Sequence, residues 1–332
     1  MPPYIRKKTM KNGGFIDCHV HFLAEHLDDF VGAFGDTGLC GCWNIVGARD
    51  QMARFIPGME PEVVAVIDAA RERAPGVVRT FYWPDWENLT DPAFPKQCAA
   101  EIAEYHRRGI AGVKVWKDMG LGLKDPAGKL MMLDDERLNP VWETMIDLRL
   151  ILIAHVADPA NFWLPFDETN PAYESLKRYP EWHFGKPGLP SREKLFDARN
   201  RLHRRYPDLV VVNCHFGGYA ETCAQLSGWM DEMPNFHASM NPRHVKPGDP
   251  GFPALVAKHG GRLLFETDLG MKRGRKVDLA WNKEMYDRVL GMARDMFAPL
   301  GPDALGRYAH RNAERLIRDA GAAKSTAETQ RR

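Results

Sequence analysis

Eight short runs rich in Val, Ile, Leu and Phe recur along the chain, at residues 15–20, 42–46, 77–82, 112–116, 150–155, 209–215, 235–240 and 262–267. Each is brief and bounded by Gly, Pro or polar residues, as strands buried in a parallel sheet are. Longer stretches with helical patterning lie between them, clearest over 61–74, 95–108, 134–148, 191–206 and 278–297. Pro61 occupies a position where a first-turn proline is tolerated, and Pro75-Gly76 stops that helix. Eight β/α units in one chain of 332 residues favour a closed (β/α)8 barrel, a TIM barrel, over an open sheet. Residues 1–13 and 321–332 read as polar tails, which leaves one domain over 14–320.

Two connections break the rhythm, 117–133 and the longer 156–190, which follows the fifth strand. The second carries Phe162, Trp163, Phe166, Tyr173, Trp182 and Phe184. A loop of this length with so many rings reads either as a lid over a binding site or as a surface insertion, and its place after the fifth strand favours the lid.

Hydrophobic residues make up 44% and charged residues 27%, enough for a large core and a solvated surface. The formal charge of +1 gives no electrostatic reason to expect nucleic acid as a partner. The six cysteines form no disulfide framework, and Cys40-Gly-Cys42, with no second pair to complete a metal site, reads as buried thiols. The opening segment has no apolar core of signal-peptide length, and no run reaches the ~20 apolar residues of a membrane span. A cytoplasmic protein acting on a small molecule, without membrane attachment, is the expectation. Barrels of this kind often pair, so a homodimer is an expected assembly.

The chemistry-bearing residues sit where the apolar runs end. In Phe15-Ile16-Asp17-Cys18-His19-Val20-His21, alternation along a strand points His19 and His21 the same way, one pleat apart. Two imidazoles so placed can chelate one ion, and the C-terminal ends of barrel strands are where active sites form. His155, His215 and Asp268 close the fifth, sixth and eighth runs, and Gly217-Gly218 follows His215. Any one of these has a bland reading, as a satisfied core histidine or a helix-capping aspartate. Five on four strand ends do not, because an unpaired buried charge is expensive.

These residues resemble the amidohydrolase superfamily, in particular its amidohydrolase-related branch, often called amidohydrolase 2. The resemblance rests on Ile16-Asp17-x-His19-x-His21, on His215-Phe-Gly-Gly, on Phe265-x-Thr267-Asp268 and on the terminal Asn312-Ala313-Glu314-Arg315-Leu316, with a family-like Gly112-Val113-Lys114 on the fourth strand. It covers roughly residues 14–318. It implies that His19, His21 and His155 are metal ligands, and that Asp268 both meets the metal and moves a proton. It implies that His215 binds a second metal or acts as a general acid/base. Lys114 takes the place of a lysine that is carboxylated in some subtypes and bridges two metals; binding a substrate anion and pairing with Glu266 are the other readings. Glu266 departs from the family, which commonly has glycine there, and its side chain should point inward one pleat below Asp268.

The N/O donor set suits Zn²⁺ first, with Mn²⁺ and Fe²⁺ also accommodated. A divalent metal with an open position lowers the pKa of water from ~15.7 toward ~7. The expected activity is hydrolysis of an amide, lactone or ester in a small, carboxylate-bearing substrate. The alternative is non-oxidative decarboxylation, or hydration, of a small aromatic or unsaturated acid on the same frame. A barrel without catalysis, used as scaffold or sensor, is disfavoured because all five catalytic-type residues are present. Arg243 and His244 after the seventh strand, and Lys272, Arg273 and Arg275 after the eighth, read as an anion-binding cluster or as ordinary surface charge. Trp83 and Trp116 read as pocket walls or as core.

Overall fold

The computed structural model describes residues 14–47, 62–157, 159–246, 248–270 and 278–329. Nine parallel strands form one curled sheet with helices packed outside it, an α/β fold of the TIM-barrel type. The strands are β1 (Phe15–His21), β2 (Leu39–Gly47), β3 (Val78–Trp83), β4 (Gly112–Val115), β5 (Ile151–Ala154), β6 (Val211–Asn213), β7 (Phe236–Met240), β8 (Leu263–Phe265) and β9 (Leu269–Gly270). The ladder runs β8-β7-β6-β5-β4-β3-β2-β1-β9 and does not itself close. Its two edge strands nevertheless belong to one segment. β8 pairs with β7 and β9 pairs with β1, and only Glu266, Thr267 and Asp268 lie between them. Across that gap the Asp268 N–H donates to the His19 carbonyl at 2.9 Å. The segment read as one final strand is thus broken at the point where it must change partners.

The helices fall where the periodicity puts them, with ends set by capping. The Ser191 and Asp278 side chains accept from the N–H groups of Lys194 and Trp281, starting helices Arg192–Arg205 and Leu279–Phe297. Pro140, which lacks an N–H, divides the stretch expected over 134–148 into a 3-10 turn, Glu136–Leu138, and the helix Asn139–Asp147. Pro61 lies outside the described residues; the helix it was expected to open runs Val63–Arg73. The run expected as a strand to residue 215 ends at Asn213, because His215, Phe216, Gly217, Gly218 and Tyr219 all turn left-handed, with φ of 58°, 57°, 72°, 83° and 60°.

Core packing is dense on both sides of the sheet. Trp43 stacks on Phe81 at 4.9 Å, and Trp86 meets Trp142 at 6.2 Å, each ring buried. A fully buried aliphatic or aromatic side chain of this kind contributes ~1.5–3 kcal/mol. The connection 156–190 is not structureless. It holds the turns Ala160–Trp163 and Pro180–Trp182 and the helix Tyr173–Arg178, and Trp163 packs on Phe184 at 5.0 Å. The buried Lys117 ammonium lies over Trp116, Phe162, Trp182 and Phe184 at 4.5–5.7 Å, fastening this segment to the end of β4. No helix among the described residues is long and apolar enough to cross a membrane. All six cysteines are free, and neither Cys40 nor Cys42 belongs to a metal-competent group among the described residues.

Candidate metal centre at the barrel mouth

β1 is fastened from beneath by Asp17. Its carboxyl accepts from the Thr267 N–H (2.9 Å), the Thr267 hydroxyl, the Tyr286 hydroxyl (2.8 Å) and the His19 N–H (3.2 Å). Burial pushes the Asp17 pKa up to about 7 against these bonds. The result locks β1 to the Glu266–Asp268 gap, so the two ends of the sheet present their side chains together.

Three donor atoms then converge. His21 donates from Nδ1 to the Ile45 carbonyl at 3.0 Å, which leaves its Nε2 as the lone-pair nitrogen, 3.3 Å from Asp268 Oδ1. His19 Nδ1 lies 3.3 Å from Glu266 Oε2, and its Nε2 lies 3.3 Å from the same Asp268 oxygen. The three atoms all lie within 4.8 Å of one another. Two donors ~2.0–2.1 Å from a tetrahedral ion stand ~3.4 Å apart, so this set fits a small divalent cation. Asp268 is held in a left-handed conformation, φ 61°, which turns its half-exposed carboxylate back over both imidazoles. Burial works against its charge, but attraction to His19 and His215 prevails and holds its pKa well below the carboxylate range.

Glu266 answers a question the sequence left open. Its carboxylate is fully buried and accepts from the His215 N–H (2.6 Å), the Ser239 hydroxyl (2.6 Å) and His215 Nδ1 (3.0 Å), besides His19. Burial would raise its pKa; the charge of His215 and the bonds to His19 and His215 instead hold it well below the usual range. It therefore orients two imidazoles at once, and does not pair with Lys114. The Lys114 amine lies on the floor of the site, 3.3 Å from both His19 Nε2 and the Cys214 thiol. Glu266→Gln is expected to weaken metal binding ~10–100-fold, since an amide presents one acceptor oxygen to four donors. A competition titration with a chromophoric chelator checks this; unchanged affinity removes Glu266 from the orienting role.

His215 stands beside the three converging atoms. Its ring stacks on His19 at 5.1 Å, and its Nε2 is 3.8 Å from Asp268 Oδ2. His155, one residue past β5, packs edge-on against His215 at 4.5 Å and is not one of the donors grouped within 4.8 Å. His244 is also brought in, 5.7 Å from His215. Its Nδ1 accepts from the Asn241 N–H, and burial pulls its pKa down to about 4, so the neutral ring presents Nε2–H. Arg243 is exposed at the rim and bonds Asn241. Trp83 is buried against Trp116, and Trp116 faces His155 at 6.3 Å. Lys272, Arg273 and Arg275 lie outside the described residues.

The profile of the family Amidohydro_2, described as amidohydrolase, matches residues 16–318. The chain belongs to this family. A search of functionally curated proteins returns no match. Among solved structures, the chain is similar to an uncharacterised TIM-barrel protein, Bb4693, from Bordetella bronchiseptica (18% identity, 96% of this chain and 92% of that one, TM-score 0.55). It is also similar to amidohydrolase II (13%, 92% and 99%, TM-score 0.56) and to 2,6-dihydroxybenzoate decarboxylase from Rhizobium (14%, 92% and 98%, TM-score 0.52). At such identities the likeness speaks for the fold alone. Family membership supports an enzyme, of hydrolase or decarboxylase type, and the family is generally metal-dependent.

Three residues of the site are not marked by the sequence pattern. Cys214 groups with His19 and His215 as a possible donor. Tyr219 lies against His215, His244 and His155 at 5.2, 5.7 and 6.0 Å between ring centroids. Arg199, fully buried, donates to the Gly217 carbonyl at 2.5 Å and stacks 4.1 Å over Trp229, propping the left-handed turn that carries His215. Burial pulls its pKa down to about 9. A signal for Arg199 existed, since helical spacing sets it on the apolar face with Leu195, Phe196 and Leu202.

Proposed function

We propose that the chain is a divalent-metal-dependent hydrolase acting on an amide, lactone or ester bond of a small, carboxylate-bearing substrate. The convergence of His19 Nε2, His21 Nε2 and Asp268 Oδ1 carries this reading. His19, His21 and Asp268 would hold the ion, with His155 packed against the neighbouring His215; Zn²⁺ suits the donors first, then Mn²⁺ or Fe²⁺. When bound, the ion supplies Lewis acidity, drawing the pKa of water from ~15.7 toward ~7 and polarising a carbonyl.

Asp268 takes the proton of the attacking water and returns it to the leaving group, a task its half-exposed carboxylate reaches from the barrel mouth. His215, fixed through Nδ1 by Glu266, offers its Nε2 edge to negative charge developing on the substrate oxygen. Arg243 and the Nε2–H of His244 stand where a substrate carboxylate would be met. Lys114 reaches the floor of the site; as a carboxylated lysine it would add an oxygen donor, and as an amine it would hold an anion.

The second reading is decarboxylation of an aromatic or unsaturated acid, favoured by the rings of Trp116 and Tyr219 around His155. In that case the ring carbon is protonated as carbon dioxide leaves, by His215 or by Asp268 once it has taken a proton from water.

The test begins with metal content. Protein purified without chelator is expected to hold about one equivalent or more of a divalent metal, and His19→Ala is expected to hold almost none. Full occupancy in His19→Ala would reject the ligand assignment. Turnover of the metal-loaded enzyme on lactones and amides, against carbon dioxide release from hydroxybenzoates, then separates the two chemistries.

A further inference from the structure

A cavity of about 500 Å³ opens at the end of the barrel opposite the metal centre. Its walls come from where strands begin: Ile151 heads β5, Val210 precedes β6, and His237 is the second residue of β7. Leu316 of the terminal helix, Asn312–Thr329, adds to the apolar side. Sites for small molecules have volumes of ~300–1,000 Å³. Ile151 lies about 13 Å of extended chain from His155, past the other end of β5, which separates this cavity from the metal donors.

The polar groups around the cavity are only half satisfied. His237 is 6% exposed, and its Nδ1–H donates to the Asn235 carbonyl at 3.3 Å. Its Nε2 is therefore a lone-pair acceptor, without a partner among the described residues. Burial pulls its pKa down to about 3, and the charges of Arg315 and Arg262 act in the same direction, so the ring stays neutral. Asp208, exposed at the rim, forms no hydrogen bond or ion pair among the described residues. Arg315 is engaged, by the Gly261 carbonyl at 2.8 Å and by Asp319 at 3.7 Å. The exposed side chain of Arg149, also at the cavity, is not engaged by any described residue.

Arg149 is held left-handed, φ 53°, in the position after the helix Asn139–Asp147 that glycine usually fills. Its N–H donates to the Ile146 carbonyl (2.9 Å), and that of Leu150 to the Met145 carbonyl (2.8 Å). Glycine would close this turn without strain, so the guanidinium there serves something other than the turn.

The unmet groups are complementary to one kind of molecule. Arg149 calls for an anion, Asp208 and His237 Nε2 call for a charged N–H donor, and Ile151, Val210 and Leu316 call for an apolar body. An anion alone would leave His237 without a donor, and an amine alone would leave Arg149 without an acceptor. We propose that this cavity binds a zwitterionic α-amino acid with an apolar side chain, its carboxylate on Arg149 and its ammonium on Asp208 and His237. The site is independent of the metal-centre reading.

Isothermal titration with L-leucine, 4-methylpentanoate and 3-methylbutylamine tests it, since the last two keep the body and lack the ammonium or the carboxylate. Wild type is expected to bind L-leucine about 10-fold or more tightly than either, the effect of one charge-assisted hydrogen bond. Arg149→Gly keeps the turn, so its Tm is expected to match or exceed wild type while leucine affinity falls about 10-fold. Asp208→Asn is expected to weaken leucine about 10-fold and to leave 4-methylpentanoate unchanged. Should Arg149→Gly fail to fold, Asp208→Asn, at an exposed position, carries the same test. His19→Ala is expected to bind leucine as wild type does. No binding heat at millimolar leucine, equal affinity for the three compounds, or wild-type leucine affinity in either rim variant overturns the inference. Loss of leucine binding in His19→Ala also overturns it, by placing the ligand at the metal centre. Metal content, measured separately, decides the metal-centre reading.

Discussion

Asp268→Asn is expected to lower turnover ~10²–10⁴-fold while leaving most of the metal in place. The substitution keeps an oxygen where Asp268 Oδ1 lies 3.3 Å from both His19 Nε2 and His21 Nε2, so the donor set survives in shape. What it removes is basicity. A carboxylate held well below its usual pKa is ionised at neutral pH and can take a proton in the transition state, and an amide cannot. Elemental analysis and steady-state rates on one preparation check both halves. Turnover near wild type would show that Asp268 moves no proton. Loss of metal along with turnover would make it a ligand first, with the proton carried by another group such as His215.

Gly112→Ala is expected to destabilise the fold by ~3 kcal/mol or more, lowering Tm by about 4 °C or more or leaving no soluble protein. A Cβ at Gly112 would stand 2.0 Å from the Ile151 carbonyl oxygen and 2.5 Å from the Phe81 ring. Neither neighbour can yield cheaply. Ile151 is the paired residue of Gly112 in the β4–β5 ladder, and Phe81 is fully buried and stacked on Trp43. Gly112 is required here by close approach of strands rather than by its φ. A thermal melt of the variant within about 2 °C of wild type would show that β4 and β5 separate more easily than their packing indicates.

The strands could be read because their residues are buried on both faces, so hydrophobic runs mark them directly, and each of the eight sequence runs overlaps an observed strand. His19, His21 and Asp268 could be found because strand ends are local features of a sequence. What stayed hidden depends on contacts between distant segments. Glu266 was placed inward correctly, but its partners come from β1, from β7 and from the turn after β6, and no spacing rule names them. Gly217-Gly218 hinted at a turn after His215. That the turn would run left-handed through His215, Phe216 and Tyr219 follows from Arg199 and Arg192, donated by a helix 18 and 27 residues before the carbonyls they hold. The left-handed φ of Asp268 belongs to the same class, since it exists to carry the chain from one pairing partner to another.

That change of partners has a consequence for how the molecule comes into being. β8 and β1 are brought side by side by the stretch 266–268, which carries the chain from one to the partner of the other, and the same stretch supplies both carboxylates that face the histidines. In a chain made from its N-terminus, His19 and His21 can therefore meet Ile45, Lys114 and His215 before either carboxylate exists, and the acidic half of the pocket is supplied last, by residues 266–268.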